Sequence, residues 1–133
     1  MSAERIERLR VLIADDHQVV REQLATLLNA EDDVQVVGLA PDGAGALDQA
    51  KALTPDVLIL DHNMGGLLSG LDVIRALRRA QLATRVVMYT MATEVCDAAR
   101  AAGAAACISK DAPYDMVLDA VRAAGVEARP EHQ

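Results

Sequence analysis

Phenylalanine and tryptophan are missing from this sequence, and Tyr89 and Tyr114 are its only aromatic residues. A core of aromatic rings is thereby excluded, so the interior has to be built from Leu, Val, Ile, Ala and Met. Those residues are plentiful: apolar types make up 52% of 133 residues, a length that suits one domain with one core. Cysteine is scarce. Cys96 and Cys107 stand in no metal-binding spacing and are too few for a disulfide framework, so they read as two small buried apolar residues in a reducing cytoplasm. No apolar run has the length of a membrane span, and the N-terminal MSAERIERLR has no signal-peptide core. A membrane partner is therefore not expected, and a cytoplasmic location is. Positive charge is also in short supply, with a net charge of −7 and a pI near 4.8. That balance argues against nonspecific nucleic-acid binding, which needs a basic face to neutralise phosphates, and disfavours docking on anionic membranes.

What is present is a regular alternation. Short runs rich in Val and Ile occur at Arg10–Ala14, Val34–Leu39, Val57–Leu60, Arg85–Tyr89 and Ala105–Ile108. They are mostly continuous rather than alternating, as strands buried on both faces of a parallel sheet are. Helical stripes lie between them: Val20, Leu24, Leu27 and Leu28; Leu71, Ile74 and Leu77; Val95, Ala98, Ala99 and Ala102; and Val117, Ala120, Val121 and Ala124. A weaker helix is expected over Gly43–Leu53. Thr54-Pro55, Gly103 and Pro113 punctuate the pattern. The expectation is an α/β fold, a doubly wound (βα)5 with a parallel five-stranded sheet and right-handed crossovers. The domain is expected over residues 1–125, with 126–133 as a polar tail or the start of a linker.

Four of the five strands end in a residue with chemistry. The first run delivers Asp15 and Asp16, the third Asp61, the fourth Thr90 and the fifth Lys110. Parallel strands bring all these ends to one edge, the edge where open sheets bind ligands. Two carboxylates about 5 Å apart repel by roughly 3 kcal/mol at an effective dielectric near 20. Three of them need compensation, part of it from Lys110 and the rest from a hard divalent cation, for which oxygen ligands favour Mg²⁺. A carboxylate nucleophile, a metal, a lysine and a hydroxyl are also the parts of phosphoryl transfer. Asp61, alone at the end of the central strand, is the candidate nucleophile.

Each of these residue types also has a plainer reading. Asp16 could cap the helix starting near Gln18. Lys110 alone would be a solvated lysine and Thr90 an ordinary strand residue. His17 and His62 flank the acids but have no ligand spacing, and surface solvation is the default for both. The plain readings fit any one residue better than they fit the five together.

Taken in order, Asp15-Asp16, Asp61, Thr90 and Lys110 resemble the receiver domain of two-component response regulators, over roughly Leu9 to Ala124. The stretches VLIADDH and CISKD lean toward the NarL/LuxR-type subfamily, whose members often carry a C-terminal helix-turn-helix. The resemblance implies a flavodoxin-like fold with strand order 2-1-3-4-5. It implies a switch that catalyses only its own phosphorylation and dephosphorylation, with Asp61 as phosphoacceptor and Thr90 and Lys110 binding the phosphoryl oxygens. Mg²⁺ would be held by Asp15, Asp16, Asp61 and the Asn63 backbone carbonyl. A sensor histidine kinase or phosphotransfer protein would be the partner, and a homodimer could form through the face made by the fourth helix, fifth strand and fifth helix.

Several positions depart from the family's pattern. Gly65-Gly66 replaces the usual loop proline, and Gly70 comes one residue late. Asp111 follows Lys110 where many relatives have proline. Met91 follows Thr90 where a smaller residue is common, and would narrow access to Asp61. Cys107 takes the switch position that relatives fill with Tyr or Phe, so the usual coupling from Thr90 to an aromatic ring cannot operate, and the switch either runs through the packing of the fourth helix or is weak. Two other classes remain as alternatives: a receiver-fold interaction module that is not phosphorylated, and a Mg²⁺-dependent phosphohydrolase. The latter usually separates its acid pair by one residue and puts the nucleophile on the first strand, unlike Asp15-Asp16 and Asp61.

Overall fold

A computed structural model of the chain describes residues 7–128. Five strands, β1 (Leu9–Ala14), β2 (Val34–Ala40), β3 (Val57–Leu60), β4 (Arg85–Thr90) and β5 (Ala106–Ser109), alternate with five helices, α1 (Gln18–Asn29), α2 (Gly43–Leu53), α3 (Gly70–Arg79), α4 (Cys96–Ala102) and α5 (Tyr114–Ala128). All strand pairs are parallel and the order is β2-β1-β3-β4-β5, as expected.

The sheet separates two aliphatic layers, and side chains alternate between them along each strand. Leu12, Ala14, Leu58, Leu60, Val86, Met88 and Cys107 face the layer shared with α2, α3 and α4. Val11, Ile13, Val57, Ile59 and Val87 face the layer under α1 and α5, where Leu24, Leu28, Val117 and Val121 close it. Central strands buried on both faces explain why their sequences run apolar without a break. The order reverses between β1 and β3, whose last residues Ala14 and Leu60 are paired. The acids that follow both strands therefore leave the sheet side by side.

Helix ends follow local chemistry. Asp42 caps α2 by accepting from the Gly45 N–H at 2.7 Å. Ser69 and Asp72 form a reciprocal capping box on α3. For α1 the N-cap is His17, not Asp16, and no side chain caps it. The α5 helix continues to Ala128, past the expected tail start, because Gly125 is a packing notch rather than a stop. A Cβ there would lie 2.5 Å from a Leu9 methyl. The expected tail residues 129–133 lie outside the described residues.

Two expectations change. The stripe proposed for the fourth helix is only partly buried: Val95 belongs to a preceding 3-10 turn, Thr93–Val95, Ala98 is exposed, Ala102 is half-buried, and Ala99 is the one fully buried residue of α4. More important, Cys96 and Cys107 are not two separate thiols but a disulfide, with Cα atoms 5.5 Å apart. The sequence separation of 11 hid this, because only the turn of α4 back into β5 brings the pair together. Among the described residues, no helix is long and apolar enough to cross a membrane.

Candidate functional site

At the C-terminal edge of the sheet, the described residues place three polar side chains in full burial: Asp15, Asp61 and Thr90, 2%, 4% and 1% exposed. Backbone ladders set their positions. The Asp15 N–H donates to Ala40 O, the Asp61 N–H to Ala14 O, and the Lys110 N–H to Thr90 O, at 3.0–3.1 Å. Asp15, Asp61 and Lys110 are thus each the first step beyond a paired strand, fixed by a neighbouring strand's last carbonyl, and Thr90 is itself the last residue of β4.

Lys110 joins the two buried carboxylates. Its Nζ lies 2.6 Å from Asp15 Oδ2 and 2.9 Å from Asp61 Oδ2. Burial alone would push the ammonium's pKa down, but hydrogen bonds and charge from Asp15 and Asp61 outweigh it and hold the pKa above the usual lysine value. The other oxygen of Asp61 accepts from the His62 N–H at 2.7 Å, and that of Asp15 from the His17 N–H at 2.9 Å. Thr90 Oγ1 accepts from the Ala92 N–H at 3.0 Å, which orients the hydroxyl and leaves its own hydrogen to donate elsewhere.

Asp16 is exposed and completes the acidic cluster. Ligand atoms of Asp15, Asp16, His17 and Asp61 lie within 4.8 Å of one another. Three carboxylates against one ammonium leave two negative charges in excess, an arrangement suited to a divalent cation. Of the two histidines read as solvated, His17 is 64% exposed, yet its Nδ1 lies 3.0 Å from both Asp15 Oδ1 and Asp16 Oδ1. Sequence spacing held no signal for this. His62 contributes its backbone N–H to the site, while its ring Nδ1 is buried without a partner.

The loop leaving Asp61 carries Asn63 on its exposed side. Gly65 and Gly66 both take positive φ, 68° and 72°, in open space, so conformation rather than crowding calls for glycine there. Gly70 answers the opposite need: a Cβ there would meet Asp61 O at 2.7 Å and His62 Cα at 2.8 Å. Met91 is 60% exposed beside buried Thr90, and Cys107 sits under α4 in its disulfide. The two tyrosines lie in the other layer, where they line a cleft with Val20, Leu24 and Lys110.

Residues 11–122 match the response regulator receiver domain family, and the chain belongs to it. It is 39% identical over 116 residues to the nitrate/nitrite response regulator protein NarP of Escherichia coli, covering 86% of this chain and 54% of that protein. It is 41% identical over 108 residues to a protein-glutamate methylesterase/protein-glutamine glutaminase of Myxococcus xanthus, covering 79% of this chain and 31% of that enzyme. The signal receiver domain of the putative response regulator NarL from Mycobacterium tuberculosis superposes with a TM-score of 0.79 at 37% identity, over 87% of this chain and 98% of that one. The fold is thus a receiver of the NarL/LuxR type. The chain spans about half the length of the first of these curated relatives and less of the second.

Proposed function

We propose that this domain is a phosphorylation-activated switch in which Asp61 accepts a phosphoryl group from a sensor histidine kinase or phosphotransfer protein in the cytoplasm. The observation that carries the reading is the shared lysine: buried Asp15 and Asp61 are joined through Lys110 beside a buried Thr90 hydroxyl. A structural ion pair needs one acid, not two plus a third. Oxygen donors and excess negative charge fit Mg²⁺, with Asp15, Asp16, Asp61 and the Asn63 carbonyl as its protein ligands. When bound, the ion neutralises charge on the transferring group.

The chain's own residues divide the remaining work. An Asp61 oxygen attacks phosphorus, and the phosphorus–nitrogen bond of the donor's phosphohistidine breaks, leaving its electron pair on the imidazole nitrogen. The His62 N–H holds Asp61 Oδ1 and so orients the carboxylate. Lys110 gives up its bond to Asp61 and follows the new phosphoryl oxygens. The Thr90 hydroxyl donates to one of those oxygens. Movement of Thr90 and Lys110 then shifts an existing equilibrium at the α4–β5–α5 face, favouring a homodimer there. No basic surface for nucleic acid is needed in this chain.

Intact-mass analysis after incubation with Mg²⁺ and acetyl phosphate tests the reading. One phosphoryl adduct is expected, dependent on Mg²⁺ and absent from Asp61→Asn. An unmodified wild-type protein that nevertheless binds Mg²⁺ would instead identify an interaction module.

A further inference from the structure

The disulfide is the feature that the phosphoryl site leaves unused. Cys96 is the first residue of α4 and Cys107 lies on β5, so the bond closes a loop containing the entire helix. That helix has little else to hold it. Its sequence is CDAARAA, only Ala99 is fully buried, and Cys96 and Ala102 are half-buried. Its far end receives one long hydrogen bond, from Arg78 Nη1 to Ala102 O at 3.3 Å. A helix with so few apolar side chains gains little from burial, and the covalent tie supplies what packing does not. The tie also reaches the phosphoryl site. Cys107 pairs in register with Met88 on β4, two residues before Thr90, and residues 91–95 are all that separate Thr90 from Cys96.

We propose that Cys96 and Cys107 form a thiol–disulfide switch that fastens α4 to β5 when oxidised and frees it when reduced. The co-reactant is a low-molecular-weight thiol–disulfide couple of the glutathione kind. In the oxidising direction the Cys96 thiolate attacks one sulfur of the small disulfide. The small molecule's S–S bond breaks and one small thiol leaves, taking up the Cys96 proton. The Cys107 thiolate then attacks the Cys96 sulfur of the mixed disulfide and expels the second small thiol, which takes the Cys107 proton. The two protein thiols lose two electrons, and the small disulfide gains them. Attack begins at half-buried Cys96 because Cys107 is 9% exposed. In a reducing compartment such a bond is made and broken rather than permanent. The consequence for signalling rests on the proposed phosphoryl transfer to Asp61: the oxidised form clamps the helix through which Thr90 would act, and the reduced form lets it respond.

The test compares the full chain after dithiothreitol with the chain after glutathione disulfide. Thiols are counted by alkylation and intact mass, and backbone hydrogen exchange is followed over 91–107. The expected result is two thiols after the first treatment and none after the second. Amides of α4 should exchange about tenfold faster or more in the reduced form, with β1 and β3 unchanged. Cys96→Ser should give the fast pattern under both treatments. Two free thiols after glutathione disulfide, or equal α4 exchange in both redox forms, would overturn the switch. Phosphorylation of both forms separates the two readings: loss of the Asp61 adduct overturns phosphoryl transfer alone, since the exchange difference is still read without it.

Discussion

The Lys110 ammonium and the Asp16 carboxylate occupy one cluster with opposite effects on its stability. Lys110 holds two buried acids, so Lys110→Ala leaves both without their cation, and the expected loss without Mg²⁺ is about 3 kcal/mol. Asp16 is exposed and makes no bond to the lysine, and Asp16→Asn keeps an oxygen that can accept from His17 Nδ1, so its main effect is to relieve repulsion, a gain of at most about 1 kcal/mol. Urea unfolding without Mg²⁺ should therefore rank Asp16→Asn above wild type and Lys110→Ala well below. Titrating Mg²⁺ should reverse the first comparison, because the wild type keeps the ligand that Asp16→Asn lacks. A group held above its ordinary pKa stabilises the fold below that value and stops doing so as pH rises through the shifted one. The gap between wild type and Lys110→Ala should thus persist through neutral pH and close only at strongly alkaline pH. At this scale the sequence was most informative. Asp15, Asp16, Asp61, Thr90 and Lys110 follow from strand ends alone, since parallel topology gives such residues one destination. His17 did not follow, because its approach to both acids depends on the bend between β1 and α1, which leaves no periodic trace.

Elements were legible to the extent that burial writes a pattern. Strand ends fall within a residue of their expected positions, and α2 matches Gly43–Leu53 because Asp42 and Thr54-Pro55 mark its limits. The α4 helix was read least well. An alanine stripe offers no contrast between a buried and an exposed face, so Ala98 and Ala99 look alike in sequence but not in the fold. The tie between α5 and the α1–β2 turn was also invisible, being made by residues 89 positions apart. Arg122 donates through Nε and Nη2 to both oxygens of Asp33 at 2.9 Å, and Nη2 also reaches Glu31 at 3.2 Å. The hydrogen bond from Arg122 holds the Asp33 carboxyl below its usual value. A depressed carboxyl stabilises the fold above its ordinary pKa and loses that contribution as pH falls through the lowered one. Arg122→Ala should accordingly lower the melting temperature by about 2 °C at neutral pH. The difference from wild type should shrink below about pH 4, as Asp33 takes up its proton first in Arg122→Ala and only at lower pH in wild type. Thermal melts across that range check it; a constant difference would mean that Arg122 acts through packing instead.

For the whole molecule the governing quantity is charge. Each copy carries −7, and phosphorylation makes it more negative. The face proposed for self-association is acidic as well: Asp97, Asp111, Asp115 and Asp119 are exposed there against Arg100. Two copies with centres about 30 Å apart, roughly a domain diameter, would repel by about 7 kcal/mol if nothing screened them. The screening length falls from about 30 Å at 0.01 M salt to about 8 Å at 0.15 M, so most of that repulsion vanishes at physiological ionic strength. Apolar and small side chains on α4 and α5 can then supply the contact without any net ionic attraction. Sedimentation equilibrium of the phosphorylated chain should therefore show self-association about tenfold tighter, or more, at 0.15 M than at 0.01 M salt. An interface held together by ion pairs across the two copies would show the reverse, because screening weakens attraction and repulsion alike. The sign of the salt dependence thus decides whether opposite charges join the two copies or whether like charges keep them apart until salt screens them.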